Sequence, residues 1–341
     1  MDSLSPGEFR DALADPLVSE RFSAVNGVPL VVVEVPTAAE AGRLTGIGPL
    51  DVAGLPCVVL LLVPDPALID AVPLEFADVV LTDDPGAPRP CAPAAGLGAI
   101  QASVRANPMA ATALALLLRS SEARGVAAGL IAESSTYSAL QAGAEFQRWR
   151  AGRAAKPAEP GEERVRLERD GNLLRIILAR PARRNALDVR MRDALTEALA
   201  LAVADPGCTV EISALGPDFS AGGDLDEFGS RPDPALAHLT RLSRSPAGLL
   251  HRIADRTLVR VHGACLGAGV ELPAFAGRVQ AGPDARFGLP ELSLGLIPGA
   301  GGTVSLPRRI GRQRTAYLAL TGTPIPADQA LTWGLINQIS P

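Results

Sequence analysis

Apolar residues are grouped differently in successive stretches of this chain. In the first ninety residues they form short β-branched runs, VPLVVVEV (28–35), CVVLLLV (57–63) and FADVVLT (76–82), each bounded by Pro, Gly or Asp. Such runs predict buried strands. After Pro90 the character changes. From about Ile100 to Arg150 the chain is rich in Ala and Leu, and Val104, Ala111, Leu114 and Leu118 recur at helical spacing. Asn107-Pro108 reads as a cap followed by proline at the first helical position, so two or three helices are expected here.

Between Trp149 and Arg164 the sequence RAGRAAKPAEPGEE has no apolar period, as in a solvated linker. Beyond it, VRLERD and LLRIILAR (173–180) predict a hairpin, and residues 187–204 have the period of a helix. TVEISALG and TLVRVHG (257–263) read as strands, each leading into a glycine-rich loop. Strands alternating with helices over residues 164–340 predict an α/β layered domain.

Composition narrows the function classes. The chain has 341 residues, enough to bury one large core or two, and 47% of them are apolar. No apolar run approaches the roughly 20 residues that a membrane helix requires, and acids occur throughout residues 1–20. The expectation is a soluble protein without a secretory signal and without a membrane partner. Cys57, Cys91, Cys208 and Cys265 are scattered, which indicates neither a zinc site nor a disulfide framework and makes the cytoplasm the default compartment. The net charge of −5 gives no general attraction to nucleic acid. The cations are nearly all arginine, with Lys156 the clear exception, so a phosphate-bearing ligand must meet arginine or backbone N–H groups.

Three loops carry candidate chemistry: DFSAGGDLDEF (218–228), HGACLGAGVEL (262–272) and RFGLPELSLGLIPGAGGT (286–303). A glycine-rich turn between strand and helix lets the backbone approach a ligand, and its free N–H groups can donate to an anion. An isolated pair such as Gly222-Gly223 is ordinarily just a tight turn. Two such loops, each followed by an acid, shift that balance. Glu271 precedes the apolar segment LPAFA, where a carboxylate is uncommon without a partner, although an acid at a helix start also complements the helix dipole. Pro273 requires any helix there to begin close to Glu271. Glu291, flanked by Leu and Pro, is either another helix-start acid or a carboxyl whose apolar setting raises its pKa toward that of a general acid or base.

These loops resemble those of the enoyl-CoA hydratase/isomerase family, the crotonases, over roughly residues 164–340 and in the family's order and spacing. The resemblance implies crotonase-like layered β-sheets with surrounding helices, preceded here by a degenerate α/β and helical region. It implies that RPARRNALD (180–188) lines the coenzyme A channel, with Arg180, Arg183, Arg184 and Ala186 toward the nucleotide end, and that Ala221, Gly223, Asp224, Leu225 and Ala268 belong to the ligand-contacting loops. Oxyanion donors would be the N–H groups of Gly223 and Ala268, the catalytic carboxylates Glu271 and Glu291, and Gly299 a backbone position that helps hold water. The implied reaction is hydration of an enoyl-CoA thioester through a stabilised enolate, with coenzyme A entering only as part of the substrate, and with no metal. Having both acids favours hydration over the other reactions of the family. The alternatives are an enoyl-CoA isomerase, in which one glutamate shuttles the proton, and a non-catalytic acyl-CoA-binding subunit. Trimers or hexamers are the implied assemblies.

The pattern departs from the family in two respects, the smaller being that ELPAFAGRV, with Pro273 and Gly277, follows the second loop where an Ala-rich helix ending in Cys-Asp is usual. The chain stops at GLINQISP, where the family continues into helices that cover the acyl pocket, and residues 103–150 resemble those helices, above all in ALALLLR, GLIAESSTYSAL and AEF. FADVVLTDDPGA (76–87) also resembles FAGRVQAGPDA (275–285). The expected organisation is therefore a degenerate α/β region, a decayed copy of the same fold, over 1–100; helices over 101–150 that stand in for the family's C-terminal ones; a linker at 151–163; and a catalytic core over 164–341. The first half is expected to carry no catalysis. Glu133 and Tyr137, an i, i+4 pair, are read as packing or capping residues. His262 is read as a structural histidine, and Asp224 and Asp226 as caps of a helix after the first loop.

Overall fold

In the computed structural model the described residues are 3–83, 90–153, 163–230 and 233–340, so most of the expected linker and the end of the 76–87 stretch lie outside them. The three β-branched runs form β1 (Leu30–Glu34), β2 (Val58–Leu62) and β3 (Val79–Thr82), and with β4 (Ala92–Pro93) they make a parallel sheet in chain order. Continuous apolar runs suit this sheet because both of its faces are covered. Val31, Val33, Val59, Leu61 and Val80 pack into a core local to the first half, with Phe9, Phe22 and Phe76. Their alternates Leu30, Val32, Val58, Leu60, Val79 and Leu81 join the large core shared with the second half.

Four helices follow, where two or three were expected: Leu97–Ala106, Pro108–Arg119, Val126–Ala142 and Ala144–Ala151. Pro108, Gly125 and Gly143 divide the Ala/Leu-rich stretch, since proline cannot donate within a helix and glycine favours its ends. Pro108 is the first helical residue as expected, but the Asn107 side chain does not cap the helix. Its Nδ2 donates instead to the Leu292 carbonyl in the second half.

The second half contains β5 (Val165–Asp170), β6 (Leu173–Leu178), β7 (Thr209–Ala214), β8 (Thr257–Val261), β9 (Ala264–Leu266), β10 (Arg278–Ala281), β11 (Arg286–Gly288), β12 (Ile325–Pro326) and β13 (Gln338–Ile339). One sheet has the order β13-β10-β8-β7-β6-β5, parallel except for the β5–β6 hairpin, and a smaller one the order β12-β11-β9. The chain passes from β8 directly into β9, turning from one sheet to the other at His262-Gly263. That corner delivers the 262–272 loop to the space between the sheets. His262 is structural, with its Nε2 2.9 Å from the Gly216 carbonyl oxygen.

The two halves are joined by a buried charge cluster. Arg119 binds Asp78 through both carboxylate oxygens, at 2.9 and 2.7 Å, and also donates to the carbonyls of Val52, Leu55 and Cys57. From the second half, Arg312 lies 3.7 Å from Asp78 and donates to the Ala77 and Glu75 carbonyls. One carboxylate thus serves two guanidinium groups under a shared apolar core. Asp78→Ala leaves both cations without that partner and should lower unfolding free energy by about 3–5 kcal/mol, read as a shift of the denaturation midpoint. An unchanged midpoint would show that the cluster contributes nothing to stability.

Candidate active site

The 218–224 loop is threaded between two backbone segments. On one side Leu187 N–H donates to Gly222 O and Asp224 N–H to Leu187 O, and on the other Ser220 exchanges bonds with Ala264 and Leu266. Gly222 lies in the left-handed region at φ +90°, and a Cβ there would stand 2.8 Å from the Leu266 carbonyl oxygen, so only glycine allows the loops to touch. Gly267 has φ +50°, and a Cβ on it would run into Oε1 of Glu291. The result is that Gly223 and Ala268 line one cavity of about 250 Å³, and among the described residues neither backbone N–H has a protein acceptor.

Glu271 and Glu291 line the same cavity, both nearly inaccessible to solvent. Glu271 ends a single helical turn, Ala268–Glu271, and Pro273 then opens a 3₁₀ turn, as that proline requires. Its Oε2 accepts from the Ala300 N–H at 2.7 Å and the Gly302 N–H at 2.8 Å. Glu291 opens the 3₁₀ turn Glu291–Leu294, and its Oε2 is buried with no hydrogen-bond partner among the described residues.

The cavity is closed by the first half. Leu130, Glu133, Ser134, Tyr137 and Gln141, all on the Val126–Ala142 helix, line its wall. Glu133 accepts from the Gly301 N–H at 2.7 Å, the Thr303 N–H at 2.9 Å and the Thr303 hydroxyl at 2.7 Å, and so caps the Gly302–Ile310 helix. A packing or capping role was expected; Glu133 caps, but the helix belongs to the second half and the cap stands inside the cavity. The Tyr137 ring packs on Gly299, which also lines the cavity. Residues 103–150 were expected to stand in for helices that cover the site; what sequence reasoning missed was that Glu133, Ser134, Tyr137 and Gln141 line it, and the available signal was the polar run ESSTYS on an otherwise Ala/Leu-rich helix, where polar residues facing inward need partners.

Three buried acids in one cavity raise one another's proton affinity. Burial pushes the Glu271 pKa well above the ordinary value, Glu291 and Glu133 add repulsion, and the Ala300 and Gly302 N–H groups only partly offset this. Burial, with repulsion from Glu133, pushes Glu291 up to about 8. Burial pushes Glu133 up to about 7 against the pull of Thr303, Gly301 and Arg241. Near neutral pH such a set holds both an acid and a base.

The residues expected along a coenzyme A channel separate into two groups. Gly223, Asp224 and Ala268 line the cavity, whereas Arg180, Arg183, Arg184, Ala186, Ala221 and Leu225 are outside its lining. The arginines are held by acids: Arg180 is buried against Asp224 at 2.7 Å, Arg183 pairs with Asp226 at 2.7 Å and Arg184 with Asp218 at 2.6 Å. Residues 225–229 form turns, so Asp224 and Asp226 cap no helix there and serve these ion pairs. The arginines that do line the cavity are Arg192, Arg241 and Arg244.

Two unpartnered backbone N–H groups facing two buried carboxylates are equipment for moving protons beside a polarised carbonyl group. The chain belongs to the enoyl-CoA hydratase/isomerase family, whose profile matches residues 168–341. It is 36% identical over 176 residues to 2,3-dehydroadipyl-CoA hydratase of Escherichia coli, covering 51% of this chain and 68% of that protein. It is also 36% identical over 181 residues to cyclohexa-1,5-dienecarbonyl-CoA hydratase of Thauera aromatica, covering 52% and 67%. With mevalonyl-coenzyme A hydratase of Beauveria bassiana the identity is 33% over 180 residues, and the match covers 50% of this chain and 64% of that protein. The chain thus spans about two thirds of the length of these relatives. Among solved structures, enoyl-CoA hydratase from Thermoplasma volcanium is 33% identical, with 52% of this chain and 71% of that chain covered and a TM-score of 0.48.

Two outcomes follow from this geometry. Glu133→Ala leaves the Gly301 and Thr303 N–H groups unpaired and should cost about 1–3 kcal/mol of stability, measured by denaturation. The second concerns pH. Because the folded-state pKa values of Glu133 and Glu291 lie above the ordinary 4.5, the folded protein holds more protons than the unfolded chain between 4.5 and about 8. Stability contributed by these groups therefore falls as pH rises through that window. The urea midpoint should decline from about pH 5 to about pH 8.5, and Glu291→Gln should flatten the decline; an identical slope in that variant would contradict the assignment.

Proposed function

We propose that the protein is an enoyl-CoA hydratase, adding water across the 2,3 double bond of an enoyl-CoA thioester. The observation that carries this reading is the meeting of Glu271 and Glu291 in one buried cavity with the unpartnered N–H groups of Gly223 and Ala268. The thioester oxygen accepts from those two N–H groups, which stabilise it most when it becomes an enolate oxygen; losing one such donor typically costs about 3–4 kcal/mol. A water between the glutamates gives a proton to one carboxylate as its oxygen bonds to C3. The electrons of the double bond move into the enolate. The enolate then collapses, and C2 takes a proton from the other, protonated glutamate. One acid has gained a proton and the other has lost one, so a single exchange restores the starting state.

The same reading gives the Leu97–Ala151 helices the role that C-terminal helices have elsewhere in the family, covering the acyl pocket from the other end of the chain. The names of the three relatives, all hydratases acting on CoA esters, support the reaction type and differ in the acyl group.

The test is the loss of enoyl absorbance when the protein meets crotonyl-CoA and longer 2-enoyl-CoA esters. Glu271→Gln and Glu291→Gln should each lower turnover by roughly a hundredfold or more while CoA-ester binding persists. Unchanged turnover in either variant removes that residue from the mechanism. Double-bond migration in place of a hydroxyacyl product would establish the isomerase instead.

A further inference from the structure

Beyond the glutamates the cavity wall is polar and contains a cation. Ser134, Tyr137 and Gln141 stand on one face of the Val126–Ala142 helix, and Arg241 reaches them from the Pro234–Ser243 helix. The Arg241 Nε donates to the Ser134 hydroxyl at 3.0 Å, and Nη2 to the Ser134 carbonyl at 3.2 Å and to the Ser138 hydroxyl. Among the described residues Nη1 has a single long bond, 3.4 Å, to Gln141 Oε1, although it carries two N–H groups. The guanidinium lies 4.8 Å from the centre of the Tyr137 ring, and the Tyr137 hydroxyl has no hydrogen-bond partner among the described residues.

The charge state of this cation sets it apart. Arg192 pairs with Asp193 at 2.8 Å and Arg244 with Glu197 at 3.3 Å, but among the described residues no carboxylate lies within ion-pair distance of Arg241. Glu133, whose charge acts on Arg241, spends its oxygens on Gly301 and Thr303. Burial lowers the Arg241 pKa, yet a guanidinium stays protonated at any physiological pH. The cavity therefore holds a positive charge that neutral acceptors solvate only in part.

With the thioester oxygen at Gly223 and Ala268, and C2 and C3 beside the glutamates, the remaining acyl carbons run past Gly299 toward Tyr137 and Arg241. An alkyl end placed there would press hydrocarbon on the cation and replace none of its hydration. A carboxylate would accept from Nη1 and from the Tyr137 hydroxyl and neutralise the charge. Resting on the hydratase reading above, we propose that the natural acyl group ends in a carboxylate, so that the substrate is a 2-enedioyl-CoA half thioester whose free acid is bound by Arg241.

The experiment compares 2-hexenoyl-CoA with 2-hexenedioyl-CoA, and 2-octenoyl-CoA with 2-octenedioyl-CoA, in hydration, and the saturated counterparts in binding, using the full chain. For at least one pair the carboxylated ester should be favoured by tenfold or more in kcat/KM and in Kd. In Arg241→Gln that ratio should fall to near one, and Arg241→Lys should restore part of it, which separates charge recognition from loss of the contacts to Ser134 and Ser138. Alkyl esters that bind as well as their carboxylated partners overturn the proposal, as does a preference that survives in Arg241→Gln. Binding that shows the preference without hydration of any ester would sink the hydratase reading and leave the carboxylate site standing.

Discussion

Four successive backbone N–H groups, from Ala300 to Thr303, are shared alternately by two buried carboxylates. Ala300 and Gly302 donate to Glu271, while Gly301 and Thr303 donate to Glu133. Those of Gly301, Gly302 and Thr303 are orphan donors at the start of the Gly302–Ile310 helix, Ala300 lies just before them, and a buried helix end must find acceptors. The two acceptors come from opposite halves of the chain. The same set of bonds thus fixes the orientation of a candidate catalytic acid and the seating of the Val126–Ala142 helix over the cavity, so the site is complete only when the two halves are together.

Such a clamp has an electrostatic consequence. Two anions within one helix start, with Glu291 as a third, repel one another in a space that water reaches poorly, and part of the set must carry protons near neutral pH. Stability is given up for a mixed acid and base state, which is the condition for taking a proton from one atom and giving one to its neighbour. Arg241 draws Glu133 the other way, toward ionisation, so the helical wall of the cavity also sets the balance of charge within it.

Much of the site was legible because its requirements are local. Glycines were demanded at Gly222 and Gly267 by a left-handed backbone and by contacts that a Cβ would obstruct, and those demands leave a written pattern in the loops. Glu271 and Glu291 stood out as acids in apolar surroundings, and Pro273 placed the short helix that ends at Glu271. The family resemblance placed Arg180, Arg183 and Arg184 along a coenzyme A channel, but a sequence shows a cation and not its partner; Asp218, Asp224 and Asp226, distant in sequence, pair with them. Glu133 and Tyr137 looked like any helix-face pair for the same reason.

By itself, then, the sequence determined β1–β3 and β5–β8, the glycine-rich turns, the two acids and their order, since each follows from backbone sterics or from the period of burial over a few residues. It also carried the family's pattern over residues 168–341. Only the tertiary structure decided which side chains of the Val126–Ala142 helix line the cavity, that Glu133 shares a helix start with Glu271, and that Arg241 stands there with no carboxylate at ion-pair distance among the described residues. Those facts depend on which groups meet across more than a hundred residues of chain, and a buried polar side chain declares its role only through the partner that packing supplies.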